Sequence, residues 1–411
     1  MIDRRMLVAC LGATALLPRF AFAAASDLQS LTTGIVPIGR AERAARIAKA
    51  QLLMRANDIG AILIEPGSSL EYFTGVKWWR SERLTCAVIP VEGEPCIVTP
   101  FFEEPSVRES LGVPAEVRVW QEDESAIAQV VAFLEGRKLN KLPIGIEETV
   151  RFFASDGLRR SLPNANIVSA NPVVRGCRMI KTSAEIALMQ TATDITIAAI
   201  NHTLPLIEVG MTPTQIGTMI NRATTAMGGT PEFALVLLGE ASAYPHGSGK
   251  PQRVALREPI LMDVGCNVGG YQSDVSRSVV LGGATDEQRR VFGHMREGQR
   301  IAFAAAQIGR TAGSVDDAVR GLYEKLGYGP HYKLPGLSHR TGHGIGMDGH
   351  EPVNLVHGET TQLAPGMCFS NEPGLYLPGK FGIRIEDCFH MTDSGPVWFS
   401  KPQTSIEYPA D

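Results

Sequence analysis

The chain has 411 residues, 44% apolar and 20% charged, with a formal net charge of −4. That is more than one ordinary core holds, so two domains are expected, and the lack of any basic run excludes a nucleic-acid partner. Seven cysteines without a CxxC pair exclude a thiolate zinc site and a disulfide framework. They read as buried free thiols, with Cys86 and Cys96 on neighbouring apolar runs where an oxidising compartment would let them bridge.

At the start of the chain, Arg4 and Arg5 precede an apolar stretch over 6–17, and Ala21 and Ala23 follow in an Ala-x-Ala pattern. A charged start, an apolar middle and a small-residue cleavage site make a secretory signal, and the arginine pair makes it the twin-arginine type. Residues 1–25 are therefore read as an export leader, with the mature protein in the periplasm. Pro18 and the alanine content argue against a buried first helix. Beyond the leader no apolar run approaches the roughly 20 residues that span a bilayer, so no membrane span is expected in the mature form.

Ala44, Ile47, Ala48, Leu52 and Leu53 fall at helical spacing and predict an amphipathic helix over 41–57. Short apolar runs at 61–64, 84–89, 95–99 and 144–146 predict strands, and 125–134 predicts a helix. Strands interleaved with helices indicate an α/β domain over 26–176. Asn171-Pro172 and Arg175-Gly176 mark a boundary, after which a second domain runs over 177–411. Helices are predicted over 183–197, after Thr212-Pro213, over 287–309 and over 314–326. From Pro231 onward strands and glycine-rich turns dominate, so the second domain is α+β, with helices laid over a curved, mostly antiparallel sheet.

The residues that carry chemistry lie there. An apolar strand leads into Asp263, and Gly269-Gly270 separates it from Asp274. If those glycines form a two-residue hairpin turn, position 276 faces Asp263 and both carboxylates project from one face. Such a pair is tolerable near a core when a cation lies between the acids or one is protonated. His339, His343 and His350 fall within twelve residues of a chain that has nine histidines. Glycines flank His343, which would let backbone pass close to a ligand. Glu372 and Glu386 each lie on a short strand among apolar residues, where an acid needs a partner. Four carboxylates offset the charge of two divalent ions, and one imidazole with these oxygens suits manganese, cobalt, iron or zinc. Two such metals share a hydroxide and bind the scissile carbonyl oxygen.

The ordered set Asp263, Asp274, His343, Glu372 and Glu386, in the contexts MDVG, SDVSRS, GHGIG, NEPG and GIRIED, resembles the pita-bread metallopeptidases. HRTGHGIGMDGHEP resembles their Xaa-Pro aminopeptidase and prolidase branch, and the likeness runs over roughly 178–405. The resemblance implies a pita-bread second domain and a dinuclear peptidase. Its products would come from Xaa-Pro bonds cleaved by a metal-bridged hydroxide, and its substrate would be a proline-containing peptide or dipeptide. It implies two divalent ions, Mn²⁺ first, with Co²⁺ or Zn²⁺ as substitutes, and a homodimer. It assigns Asp263 and Asp274 to one metal with Asp274 bridging, His343 to the other, and Glu386 to both. Glu372 would be ligand and proton shuttle. His246 and His350 would face the substrate, His339 would be a further pocket histidine, and Arg384 would stand behind the ligands or beside the proline. Val268 stands where relatives carry a tyrosine that supports an aspartate ligand, which implies one metal held more weakly. In the first domain, Leu70 to Gly75 resembles a recurring strand-end motif, and Trp78 and Trp79 after it would line the substrate entrance or serve equally as core or dimer contacts. Tyr72 and Arg83 read as packing residues. Two other readings use the same fold: a metal-free, creatinase-like hydrolase of a non-peptide C–N bond, and a binding protein without chemistry. Both characteristically lack the ligands that are present here.

Overall fold

The structure is a computed structural model in which residues 28–407 are described. The expected leader, 1–25, lies outside them. The first domain opens with helix α1 (Arg40–Ala56), which buries Ile47, Ala50 and Met54 along one stripe. Strand β1 (Ala61–Ile64) is buried on both faces. Helix α2 (Ser68–Thr74) follows at once, so the motif at 70–75 forms a short helix and not a strand end. Gly75, at φ 81°, stops that helix in the left-handed conformation. Strands β2 (Cys86–Pro90) and β3 (Cys96–Pro100), helix α3 (Glu104–Ser110), strand β4 (Glu116–Trp120) and helix α4 (Ala126–Gly136) come next. Strand β5 (Ile144–Ile146), helix α5 (Phe152–Ser161) and strand β6 (Ile167–Ser169) complete a six-stranded sheet of order β4-β3-β2-β1-β5-β6. The sheet is mixed: β2 pairs antiparallel with β1 and β3, while the outer pairs are parallel. Cys86 and Cys96 lie on adjacent strands as free, buried thiols and do not bridge. Helix α6 (Asn171–Arg178) occupies the segment read as a boundary and packs against α1.

The second domain begins with helices α7 (Ser183–Thr203) and α8 (Pro213–Ala226). Each is closed by a reciprocal capping box, Thr182 with Glu185 and Thr212 with Gln215. Strands β7 (Thr230–Leu238), β8 (Pro259–Val268), β9 (Tyr271–Gln272) and β10 (Val275–Val280) form one antiparallel sheet beneath them. Helices α9 (Asp286–Ala305) and α10 (Ala312–Lys325) cover a second sheet. Its strands are β11 (Gly342–Gly344), β12 (Glu351–Leu355), β13 (Cys368–Asn371), β16 (Asp387–Thr392) and β17 (Gly395–Trp398), in the order β12-β11-β13-β16-β17. The short pair β14 (Leu375–Leu377) and β15 (Phe381–Ile383) closes one end. The expected single curved sheet is thus two antiparallel sheets, and they meet where Ser276 and Glu386 exchange backbone N–H···O bonds of 3.3 and 3.0 Å. This is the pita-bread architecture. The largest apolar core crosses the domain junction, joining Ile47, Leu70 and Phe73 to Leu188, Val264 and Val268. No described helix is long and apolar enough to cross a membrane.

Candidate metal centre

The centre is built where the two sheets meet. Gly269 and Gly270 both have positive φ, 60° and 94°, and turn β8 into β9 with Val268 opposite Tyr271. That is the two-residue turn expected from the sequence, and it puts Ser276 opposite Asp263 in the β8–β10 register. Asp274, at 4% exposure, lies beside Asp263 on the same face. Glu372 follows the end of β13, and Glu386 precedes β16 on the neighbouring strand. Thr341 oxygen accepts from the Glu372 N–H at 2.9 Å, so the strand that bears His343 also fixes the course of Glu372.

His343 lies in β11, between two glycines. An added Cβ at Gly342 would come 2.1 Å from Ser370 oxygen, and at Gly344 2.6 Å from Glu351 oxygen. These glycines therefore admit the backbone of neighbouring strands, not a ligand as the sequence suggested. The His343 ring places Nδ1 3.0 Å from Gly344 oxygen, which assigns the ring proton there. Nε2 then turns its lone pair toward Glu372 Oε1 at 3.2 Å, Asp274 Oδ2 at 3.7 Å and Glu386 Oε1 at 3.9 Å. A lone pair facing three carboxylates needs a cation or a proton between them. Asp274, His343 and Glu386 each offer a ligand atom within 4.8 Å of the others.

The electrostatics of the protein atoms agree. Asp274 Oδ1 and Glu386 Oε1 are buried with no hydrogen-bond partner. Burial, then the charges of Asp263 and Glu372, push the Asp274 carboxyl well above the usual range. Burial, then Asp274 and Glu372, do the same to Glu386. Glu372 differs: burial pushes it up, but a proton on His343 Nε2, standing where a cation would, hydrogen-bonds to it and with His339 and Arg384 holds it at about 2. Orphaned carboxylate oxygens and mutual repulsion are what a divalent cation relieves, so the donor set fits such ions. Asp263 is the exception, because Arg384 Nη2 donates to its Oδ2 at 2.6 Å. Its other oxygen lies 3.1 Å from Ser276 Oγ. Val268, buried at the end of the hairpin, gives Asp263 no polar support, and Ser276 and Arg384 supply it instead.

A cavity of about 650 Å³ opens onto this cage. The nine candidate ligand and pocket residues line it, His246, Asp263, Asp274, His339, His343, His350, Glu372, Arg384 and Glu386, joined by Phe233, Leu235 and Arg340. The His350 ring lies 4.1 Å from that of His343. Burial, then His343 and Arg340, depress its pKa to about 4, so it is neutral at neutral pH. Neither His246 nor His350 has a hydrogen-bond partner among the described residues, and the Arg340 guanidinium has no partner among them either. Trp78 and Trp79 stack on each other, centroids 4.8 Å apart, and do not line the cavity of their own chain. Tyr72 packs under Arg46, and Arg83 pairs with Glu122 at the surface.

Several contributing residues escaped the sequence reading. Tyr376 Oη donates to His339 Nε2 at 2.8 Å and accepts from Arg384 Nη1 at 3.2 Å. With His339 Nδ1 bonded to Arg340 oxygen at 2.7 Å, both nitrogens of that ring are engaged by the protein. Asp316 and Arg320 on α10 shape the approach to β11. Asp316 accepts from the N–H and hydroxyl of Thr341 and from the His357 N–H, and Arg320 donates to the carbonyls of His331, Leu337 and His339. An i,i+4 acid–base pair on a helix looks like a surface pair in sequence, and nothing local marks it as the anchor of a distant loop.

Comparison with known proteins agrees with this geometry. The model of metallopeptidase family M24 matches residues 187–393, and that of the creatinase/prolidase N-terminal domain matches 46–180. The Xaa-Pro dipeptidase of Lactobacillus helveticus is 31% identical over 362 residues, spanning 87% of this chain and 96% of its own. The crystal structure of dipeptidase PepE from Mycobacterium ulcerans superposes with a TM-score of 0.82 at 29% identity, covering 90% of this chain and 98% of its own. That of prolidase from Thermococcus sibiricus gives 0.81 at 27%, covering 89% and 98%.

Proposed function

The chain belongs to metallopeptidase family M24, and from that premise we propose that it hydrolyses Xaa-Pro dipeptides with two divalent cations, manganese foremost. Asp263, Asp274, His343, Glu372 and Glu386 would hold them. The observation that carries this reading is the pair of buried, orphaned oxygens, Asp274 Oδ1 and Glu386 Oε1, on carboxylates that both face His343 Nε2. Bound divalent cations supply Lewis-acid polarisation of the scissile carbonyl and a lowered pKa for the attacking water.

The chain's own groups do the rest. Glu372 keeps 12% of its side chain open to the cavity and is ionised at neutral pH, so it takes the proton of the attacking water and returns it to the leaving proline nitrogen. His350, neutral and without a protein partner, donates to the carbonyl oxygen as its charge grows. His246 receives the substrate from the facing wall, and Phe233 and Leu235 give the proline ring an apolar surface. His339 and Tyr376 hold Arg384, which steadies Asp263. Arg340 decides the substrate's length. An unpaired guanidinium in the cavity matches the free carboxylate of a dipeptide.

The test is a peptide panel assayed with Mn²⁺, Co²⁺ and Zn²⁺. Xaa-Pro is cleaved, while the amide Xaa-Pro-NH₂ and Xaa-Pro-Yaa lose about 10–100-fold in kcat/KM, the worth of one charge-assisted hydrogen bond. Arg340→Met loses the same factor on Xaa-Pro and becomes indifferent to the amide. Equal cleavage of Xaa-Pro and Xaa-Pro-Yaa makes the enzyme an aminopeptidase, and no cleavage of any member points to another C–N bond.

The proposal extends to export and assembly. The arginine pair and Ala-x-Ala pattern support delivery to the periplasm, which cell fractionation checks. Exposed Trp79, Phe101, Phe102, Phe152 and Phe153 on the first domain support a homodimer, which light scattering checks. Arg83 lies over Phe102 and Arg151 over Phe153, and Arg151 donates to Arg83 oxygen, so these rings share one surface.

A further inference from the structure

Behind His350, on the side away from the cage, lies a second cluster of charges. The Glu351 carboxylate, 5% exposed, accepts from Lys181 Nζ at 2.9 Å, from Arg178 Nη2 at 2.5 Å, and from the backbone N–H of Met347 and Asp348 at 3.0 and 3.2 Å. Arg178 Nη2 also reaches Asp348 Oδ2 at 2.8 Å. Its Nη1 donates to Ser68 Oγ and Ser69 Oγ, both at 2.9 Å, and Ser68 Oγ donates to Asp348 Oδ2 at 2.6 Å. One guanidinium thus joins three pieces of chain: the start of α2 in the first domain, the end of α6 at the junction, and the 345–350 loop that carries His350 and leads into Glu351 at the start of β12.

A buried ion pair adds little net stability over an apolar cluster of the same shape, because desolvation offsets most of the attraction, although protonating or removing one partner is costly. What this one does is fix direction. Four donors converge on Glu351, the residue after His350, and two of them are the amides of the turn before it. The loop cannot shift toward or away from the cage without breaking several of these bonds. Lys181 and Arg178 overcome the upward push of burial and hold the Glu351 carboxyl at about 2, so the cluster is intact across the neutral range.

We propose that Arg178 and Glu351 are positioning residues for His350, and that the first domain takes part in catalysis by bracing the His350 loop through Ser68 and Ser69. This rests on the role given to His350 above. The brace acts on the histidine that meets the developing charge, so its loss lowers kcat more than it raises KM.

The test uses the full-length protein loaded with Mn²⁺. Arg178→Lys keeps the positive charge but cannot fork to four groups. Ser68→Ala with Ser69→Ala removes only the first domain's side of the brace and leaves the buried ion pairs whole. Each variant is made alone and in the His350→Ala background. The expected result is a kcat on Xaa-Pro lowered about tenfold or more, KM within about twofold, and no further loss in the His350→Ala background. Amides 347 and 348 exchange hydrogen faster in both variants while the core strands are unchanged. Equal losses in both backgrounds, or unchanged exchange at 347 and 348, overturn the brace. Failure of the reading it rests on shows separately: wild-type protein that cleaves no Xaa-Pro peptide, or His350→Ala with wild-type kcat, removes the role of His350 while the exchange rates still report the brace.

Discussion

Glu351 and Glu386 are both buried carboxylates of the second domain, on either side of the His343–His350 segment. Glu351 meets a lysine, an arginine and two backbone N–H groups, and its carboxyl is held at about 2. Glu386 has Ser276 on one oxygen and no partner for the other, and burial with Asp274 and Glu372 beside it pushes its carboxyl well above the usual range. The protein completes the first cluster with its own charges. It leaves the second short of positive charge, buried at the wall of the cavity. An acid cluster that protein cations have already neutralised serves shape, whereas one left in deficit serves a ligand.

Substituting Asp274 tests the contrast most severely. Asp274→Asn lowers turnover by well over the roughly 100-fold that loss of a ligand's outer partner costs, because an amide cannot bridge two cations. The variant stays folded by circular dichroism, since it removes a repelled charge. Turnover near that of wild type would break the contrast at once. Next in size is Glu351→Gln. A carboxyl depressed from 4.5 to about 2 contributes stability that is present above pH 4.5 and lost as pH falls toward 2. The contribution is about 3 kcal/mol. Urea unfolding at pH 7 and pH 3 therefore shows a large acid loss in wild type and a smaller one in the variant. The smallest effect has the opposite sign. Asp274 and Glu386 have raised carboxyls, so what they contribute is fully present below pH 4 and lost as pH rises. Chelator-treated protein should melt lower at pH 8 than at pH 5.5. Divalent cation at a hundredfold excess over its Kd should restore about 2.7 kcal/mol at pH 8. A melting curve indifferent to cation at pH 8 would mean that the deficit is filled by the protein itself.

The cage was legible in the sequence for a definite reason. Asp263 and Asp274 flank a Gly-Gly pair that allows one register, and 263 opposite 276 follows from counting across it. His343, Glu372 and Glu386 each lie in a short context that resembles a known family. The division into an α/β and an α+β domain followed from the alternation of runs. The brace was not legible. Arg178 lies in a segment that reads as a boundary, because Asn171-Pro172 opens a helix there as readily as it ends a domain. Arg340 reads as one more arginine until the structure places it in the cavity without a partner. Tyr376 and Ser276 act through bonds to residues 37 and 110 positions away, and no periodicity carries such information.

The crowding at Gly342 and Gly344 bears on how mutational scans of this protein should be interpreted. A methyl group at either position collides with main-chain oxygen, which cannot rotate aside. Saturation libraries will return glycine there whether or not the selection demands turnover, and a screen for folded, inactive protein will reject the same substitutions. Intolerance beside His343 therefore reports congestion of the polypeptide, and only intolerance that vanishes when the selection is for abundance alone should be scored as chemistry.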